Sequence, residues 1–183
     1  KRNKEYNISL INNINSPHFK EIHLLVENEY SLNNLNNLIK DNKNKDKVVK
    51  VMFNKQPIFK DFFTYANEKL NNKIVMLSNN DVYLYECQDD LIKHFVNEKN
   101  VFCITRHENK NWKPLIDKYI QSFDSYVFKT PVPNNFVEEL FFKQNLRGSD
   151  NLMVYFFQKY GFQTLNPCHQ IKIIHKHESD FRE

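Results

Sequence analysis

Glycine is nearly missing from this chain: Gly148 and Gly161 are the only two in 183 residues. With so few, neither GxGxxG nor GxxxxGK[ST] can be written, which excludes a glycine-rich loop that wraps phosphates in backbone N–H groups. Cysteine is scarce too. Cys87, Cys103 and Cys168 stand far apart with no CxxC, a pattern that fits reduced thiols in a cytosolic protein better than a disulfide frame or a structural zinc site. No run approaches the roughly 18 apolar residues of a membrane-spanning helix, and no secretory leader is visible. One-sided charge is also lacking. Lys and Arg number 26 against 22 Asp and Glu, a net charge of +4, short of the clustered excess of a dedicated nucleic-acid binder. The run from Lys40 to Lys50 is broken by Asp41 and Asp46 and reads as a solvated loop.

What is abundant is aromatic. Hydrophobic residues make up 40% and aromatics 14%, with 16 Phe and 9 Tyr, enough for one domain over residues 1–183 with a real core. The chain starts at Lys1 rather than Met, so a domain cut from a longer protein is one reading. Tyr6, Leu10, Ile11 and Ile14 recur at helical spacing, and Ser16-Pro17 breaks that helix. EIHLLVE (21–27) reads as a short buried strand, 31–39 as a short helix, and VVKVMF (48–53) as a second strand. Pro57 opens a helix through about Leu70, with Phe59, Phe62, Phe63, Ala66 and Leu70 inward. KIVMLS is a third strand. The alternation of helix and strand predicts an α/β domain whose central sheet is mostly parallel and flanked by helices.

Further on, 89–96 looks helical, 101–107 and 125–130 look like strands, and FVEELFF (136–142) is ambiguous. The segment GSDNLMVYFFQKYG predicts a helix capped by Ser149 or Asp150 and ended by Gly161, with Lys159 in its last turn. QIKIIHKHES ends the chain as a strand running into a polar tail.

Four groups could carry chemistry. In LSNNDVYLYE (77–86) an apolar strand stops at Asn79, Asn80 and Asp81, then an alternating segment resumes with Tyr83 and Tyr85. A turn accounts for the amides and the carboxylate; so does a ligand site, because open α/β sheets bind ligands outside the carboxyl ends of their strands. In LRGSDN (146–151) the carboxylate of Asp150 at a helix start suits a cap and is compatible with a catalytic base. In HKHES, His175 and His177 lie two apart and share one face of a strand; such a pair can ligate a metal with Asp81 as a hard partner, or be ordinary surface histidines. Arg106, at a strand's end in TRH, suits a phosphate or carboxylate, or an internal salt bridge.

The segments IHLLVEN, F.DFF.YAN, SNNDVYL, ITRHE, D.YVF, RGSDN, GF...NP and I..IHKHES..R follow one another in this order. In that series the chain resembles a family of small glycosyltransferases with a GT-A-like nucleotide-sugar-binding domain, found in bacteria and large DNA viruses, whose usual pattern is close to NSDIYF, LSR, D.WIF, GCDN, NP and H.H.S..R. The resemblance runs from about Arg2 to Arg182. It implies one GT-A-like domain that binds a nucleoside diphosphate sugar, with UDP the expected nucleotide and Mn²⁺ or Mg²⁺ at the pyrophosphate. Asp81 matches the last acid of a DxD-type motif, and Asn79 or Asn80 stands where many such enzymes have another acid. His175 or His177 matches the C-terminal histidine that completes the metal site, and His175, which closes an apolar run, is the expected ligand, with His177 facing the diphosphate or solvent.

Arg106, Asp124 and the Asp150-Asn151 pair match the strand-end arginine, the D.W acid and the DN pair. Tyr126 stands for the usual Trp and Ser149 for the usual Cys. Tyr83, Asn79, Asn80, Arg106, Asn151 and His177 are therefore the expected donor-binding residues. An inverting transfer needs a base for the acceptor hydroxyl; Asp150 is the first candidate and Asp124 the second. The acceptor is a glycan or another hydroxyl compound, no nucleic acid is expected as a partner, and the expected location is the cytoplasm (a host's cytoplasm if the protein is viral). A non-catalytic nucleotide- or glycan-binding domain of the same fold is the main rival. A metal-dependent phosphodiesterase ranks below both, for want of the ligands of a two-metal site.

Overall fold

The computed structural model describes residues 2–108, 122–144 and 146–176. Helix α1 (Arg2–Asn15) leads into β1 (Ile22–Val26), α2 (Glu29–Ile39) and β2 (Val48–Met52); α3 (Phe59–Lys69), β3 (Ile74–Ser78), β4 (Val82–Cys87) and α4 (Asp89–Phe95) follow. Then come β5 (Asn100–Ile104), β6 (His107–Glu108), β7 (Ser125–Lys129), α5 (Asn134–Val137), α6 (Ser149–Lys159), β8 (Gln163–Leu165) and β9 (Ile171–His175). No helix among the described residues is long and apolar enough to cross a membrane.

The α/β class holds, but the strands form three sheets of mixed orientation instead of one mostly parallel sheet. β1 and β2 pair in parallel by themselves. The four-stranded sheet has the order β3-β7-β5-β8, and β4-β9-β6 form the third. In the four-stranded sheet β7 is antiparallel to both β3 and β5, whereas β5 and β8 are parallel. Three of its strands thus run one way and β7 runs against them. Helix-strand alternation cannot reveal such a reversal, because β7 enters from residues far along the chain.

The strand expected over 101–107 is two strands. β5 stops at Ile104, where the next backbone N–H, that of Thr105, donates to Asn166 Oδ1 at 3.2 Å instead of extending the ladder. β6 then joins β9 in the other sheet. β5 is buried on both faces. Val101 and Cys103 pack with Phe59, Phe63, Phe128, Phe136 and Phe157 under α3, α5 and α6; Phe102 and Ile104 pack with Val82, Leu84, Ile171 and Ile173 of the third sheet. The phenylalanine core is ordered by ring contacts such as Phe63–Phe128 at 4.6 Å and Phe136–Phe157 at 5.0 Å between centroids. A smaller core of Ile14, Ile39 and Val48 sits under α1 and α2.

The helix ends differ in part from expectation. α3 begins two residues after Pro57, and Asp61 in its first turn accepts the Ile58 N–H at 2.9 Å. FVEELFF yields only the end of the short α5 and an irregular stretch after it. Neither Ser149 nor Asp150 caps α6: Gly148 holds the cap position at φ +83°, a left-handed conformation that glycine adopts at little cost. Gly161, at φ +83°, closes the same helix, with the Phe162 N–H returning to Phe157 O at 3.0 Å.

Candidate functional site

Ser125, the first residue of β7, is opposite Ser78 of β3 and Ile104 of β5. The carboxyl ends of β3 and β5 therefore meet the start of β7, and the loops leaving them converge. Asn79 donates its backbone N–H to Asp124 O at 3.2 Å and its side-chain amide to Asp124 Oδ1 at 3.1 Å. The Val82 N–H returns to Asn79 O at 3.2 Å, so SNND is a turn. Arg106 Nη1 donates to Asp124 Oδ1 and Oδ2 at 3.1 and 3.0 Å and to Ser122 Oγ at 3.0 Å. Asp124 itself donates its N–H to Ile104 O at 3.1 Å. Its side chain is 7% exposed and that of Arg106 12%. Burial pushes the Asp124 carboxyl above the usual carboxylate range, while Arg106 and His175 pull it down and Asp81 adds to the rise. This is a buried ion pair clamped by the amide of Asn79.

Asp81 ends the turn, and its side chain meets the C-terminal strand. His175 is opposite Val82 in the β4–β9 register. Its Nε2 lies 3.2 Å from Asp81 Oδ2, with the side chains 11% and 17% exposed. The Lys176 N–H donates to Asp81 O at 2.8 Å, which fixes the turn to the end of β9. The structure thus joins residues 94 positions apart in sequence. A carboxylate and an imidazole at this distance fit a divalent cation as two of its ligands.

Asp150 approaches the same place from α6. Its Oδ2 accepts the Phe123 N–H at 3.2 Å, tying α6 to the residue before Asp124. Ser149 Oγ donates to Gln144 O at 2.7 Å. Asp81, Arg106, Asp124, Asp150, Asn151 and His175 all line one long cleft, together with Asn79 and the exposed Asn80. The cleft continues past Leu24 and Leu25 of β1 and Met76 and Leu77 of β3. Tyr83 is not among the lining residues; it alternates with the buried Val82 and Leu84 on β4, and burial raises its phenol pKa. His177 lies outside the described residues.

A second cluster went unread in the sequence. His18 follows α1, Cys87 ends β4 and Asp89 starts α4; one donor atom from each lies within 4.8 Å of the others. His18 Nδ1 and Asp89 Oδ1 are 2.8 Å apart. Burial and the hydrogen bond to Asp89 push the Cys87 thiol up to about 12. No spacing rule points to these three, because His18 is remote from the C-x-D pair. All three cysteines are free thiols, with Cys103 and Cys168 buried.

Set against known proteins, the chain matches no family model, no curated protein and no solved structure.

Proposed function

We propose that this chain is a GT-A-like glycosyltransferase domain that moves a sugar from a nucleoside diphosphate sugar, with UDP the expected nucleotide, to a hydroxyl acceptor. The observation that carries the reading is the Asp81–His175 pair, 3.2 Å apart in the cleft where the carboxyl ends of β3 and β5 converge. That is where open α/β sheets place nucleotides. Asp81 and His175 would hold Mn²⁺ or Mg²⁺, which when bound neutralises charge on the diphosphate.

The chain's own groups then divide the work. Arg106 adds a fixed positive charge near the diphosphate, and Asp124 with Asn79 holds that guanidinium in place. This assigns Asp124 a positioning role, since its oxygens already accept from Arg106 and Asn79. Asp150, half-buried and lining the cleft, is the group that takes the proton of the acceptor hydroxyl in an inverting transfer. Asn80 and Asn151, both exposed in the cleft wall, are placed to hydrogen-bond the donor.

One observation favours a binding-only domain of the same fold. The Asn79 amide is engaged by Asp124, so Asp81 is the one carboxylate that the turn offers a cation. Calorimetry with uridine diphosphate separates the outcomes. Binding should require manganese and vanish in Asp81→Asn, with the fold unchanged. Manganese-independent binding, or equal affinity in the variant, overturns the metal assignment. Metal-dependent binding without any turnover of UDP-sugars selects the binding-only domain.

A further inference from the structure

The cluster at the far end of β4 is independent of the reading above. His18, Cys87 and Asp89 come from three different segments, a loop, a strand end and a helix start. Each segment is anchored by its neighbours. Cys87 is in register with Ile171 of β9. Phe19, next to His18, packs with Cys87 against the same apolar core. Asn13 of α1 bridges to β4, its amide donating to Val82 O and accepting from the Leu84 N–H, each at 3.0 Å.

We propose that His18, Cys87 and Asp89 form a zinc site with three protein ligands and one position left for water. The donor set, one thiolate, one imidazole and one carboxylate, is the mixture that zinc accepts, whereas magnesium and calcium take oxygen. Bonds of about 2.0–2.3 Å around a tetrahedral ion put donors about 3.3–3.8 Å apart. The donors lie within 4.8 Å of one another, so reaching that spacing takes a shift of at most about 1.5 Å in any pair that stands too far apart. The Asp89 side chain is 51% exposed and that of His18 25%, so both can rotate to make it. On binding, the Cys87 S–H bond breaks, its proton leaves to solvent and the sulfur's electron pair goes to the ion. The zinc replaces the His18–Asp89 hydrogen bond and ties the loop after α1 to the β4–α4 junction.

Cobalt titration of the whole chain, in a reducing buffer free of thiols, tests this. One equivalent of Co²⁺ should give an intense visible tetrahedral spectrum and a near-ultraviolet thiolate-to-cobalt band, both bleached by stoichiometric Zn²⁺. Cys87→Ser should lose the thiolate band. His18→Gln, altered at a partly exposed side chain, should keep the fold and weaken zinc at least about tenfold. Asp81→Asn should keep the full spectrum. An absent thiolate band, a band that survives in Cys87→Ser, or zinc affinity unchanged in His18→Gln overturns the site.

Discussion

The two ends of β4 carry two clusters with opposite habits. At its start, Asp81 meets His175, and Arg106 and Asp124 stand beside them in the interior, 12% and 7% exposed. At its end, roughly 17 Å away along a six-residue strand, His18, Cys87 and Asp89 line the other end of the same cleft, the first two part-buried and Asp89 exposed. The first cluster is knitted into the carboxyl ends of β3 and β5 by hydrogen bonds from Asn79, Arg106 and Asp124. The second is joined by a single His18–Asp89 bond and a thiol–carboxylate bond. The difference is one of cost. Breaking a buried charge pair strands a charge in the interior, whereas loosening a partly solvated cluster returns its groups to water. The Arg106–Asp124 pair beside the start of β4 should therefore be bound up with the stability of the fold, and the cluster at its end should be separable from it.

The largest expected effect lies with the proposed base at the Asp81 end. Asp150→Asn preserves an oxygen able to accept the Phe123 N–H, so folding should hardly change. Turnover of a UDP-sugar should fall by about 10²–10⁴. Single-turnover kinetics on wild type and variant would measure it, and retained transfer would remove Asp150 from the base role.

Next in size is the buried pair. Asp124→Ala removes a buried carboxylate that accepts from both Arg106 and Asn79 and should cost about 3–5 kcal/mol of unfolding free energy. Asp89→Asn, at the other end of the strand, should stay within about 0.5 kcal/mol. Urea denaturation of both variants reads the contrast. Equal losses would erase the distinction between the two ends.

A third test uses the cations. Asp81→Asn should abolish manganese-dependent binding of uridine diphosphate while leaving the cobalt spectrum intact, and Cys87→Ser should do the reverse. The shift in each affinity should be at least about tenfold, or about 1.4 kcal/mol. Coupled losses in either variant would mean that β4 transmits between its ends and the clusters are one system.

How far the sequence announced this arrangement depends on range. Local signals carried well. The helix at Phe59–Lys69 and the strand at Ile74–Ser78 follow directly from periodicity, and glycine ends α6 as its conformation requires. Signals that depend on partners far along the chain did not carry. The reversal of β7, the three-residue β8 and the split at Thr105 are decided by neighbours tens of residues away. The same holds for the sites. Asp81 and His175 can be paired from the sequence as candidate ligands of one ion, and Arg106 stands out at a strand's end, but only the fold shows that Arg106 is spent largely on Asp124 and that Asp150 holds Phe123 instead of capping its own helix. His18 with Cys87 and Asp89 left no pattern in the sequence, since a loop residue after α1 has no fixed spacing to a strand end 69 residues later.

The smallest effect concerns the strand between the two clusters. β9 joins β4 on one side and β6 on the other, and His107 of β6 is 1% exposed, with its Nδ1 lacking a hydrogen-bond partner among the described residues. Burial lowers its pKa below the ordinary value, helped by Lys172 and His169 and opposed by the Ile173 backbone and Glu86. In the unfolded chain the imidazole takes a proton near pH 6.5, and in the folded chain only at lower pH. Between those two values the unfolded state binds more protons, so stability is complete above about pH 6.5 and falls as the pH drops towards the folded pKa. One such group contributes at most about 1.4 kcal/mol per pH unit. His107→Gln removes the titration and keeps a polar side chain of similar size. Urea midpoints at pH 7.5, 6.5 and 5.5 should therefore decline less steeply in the variant than in wild type. The deficit should appear only below about pH 6.5. If both proteins lose stability in parallel, the acid sensitivity belongs to other groups, and the sheet that links the two ends of β4 is indifferent to this histidine.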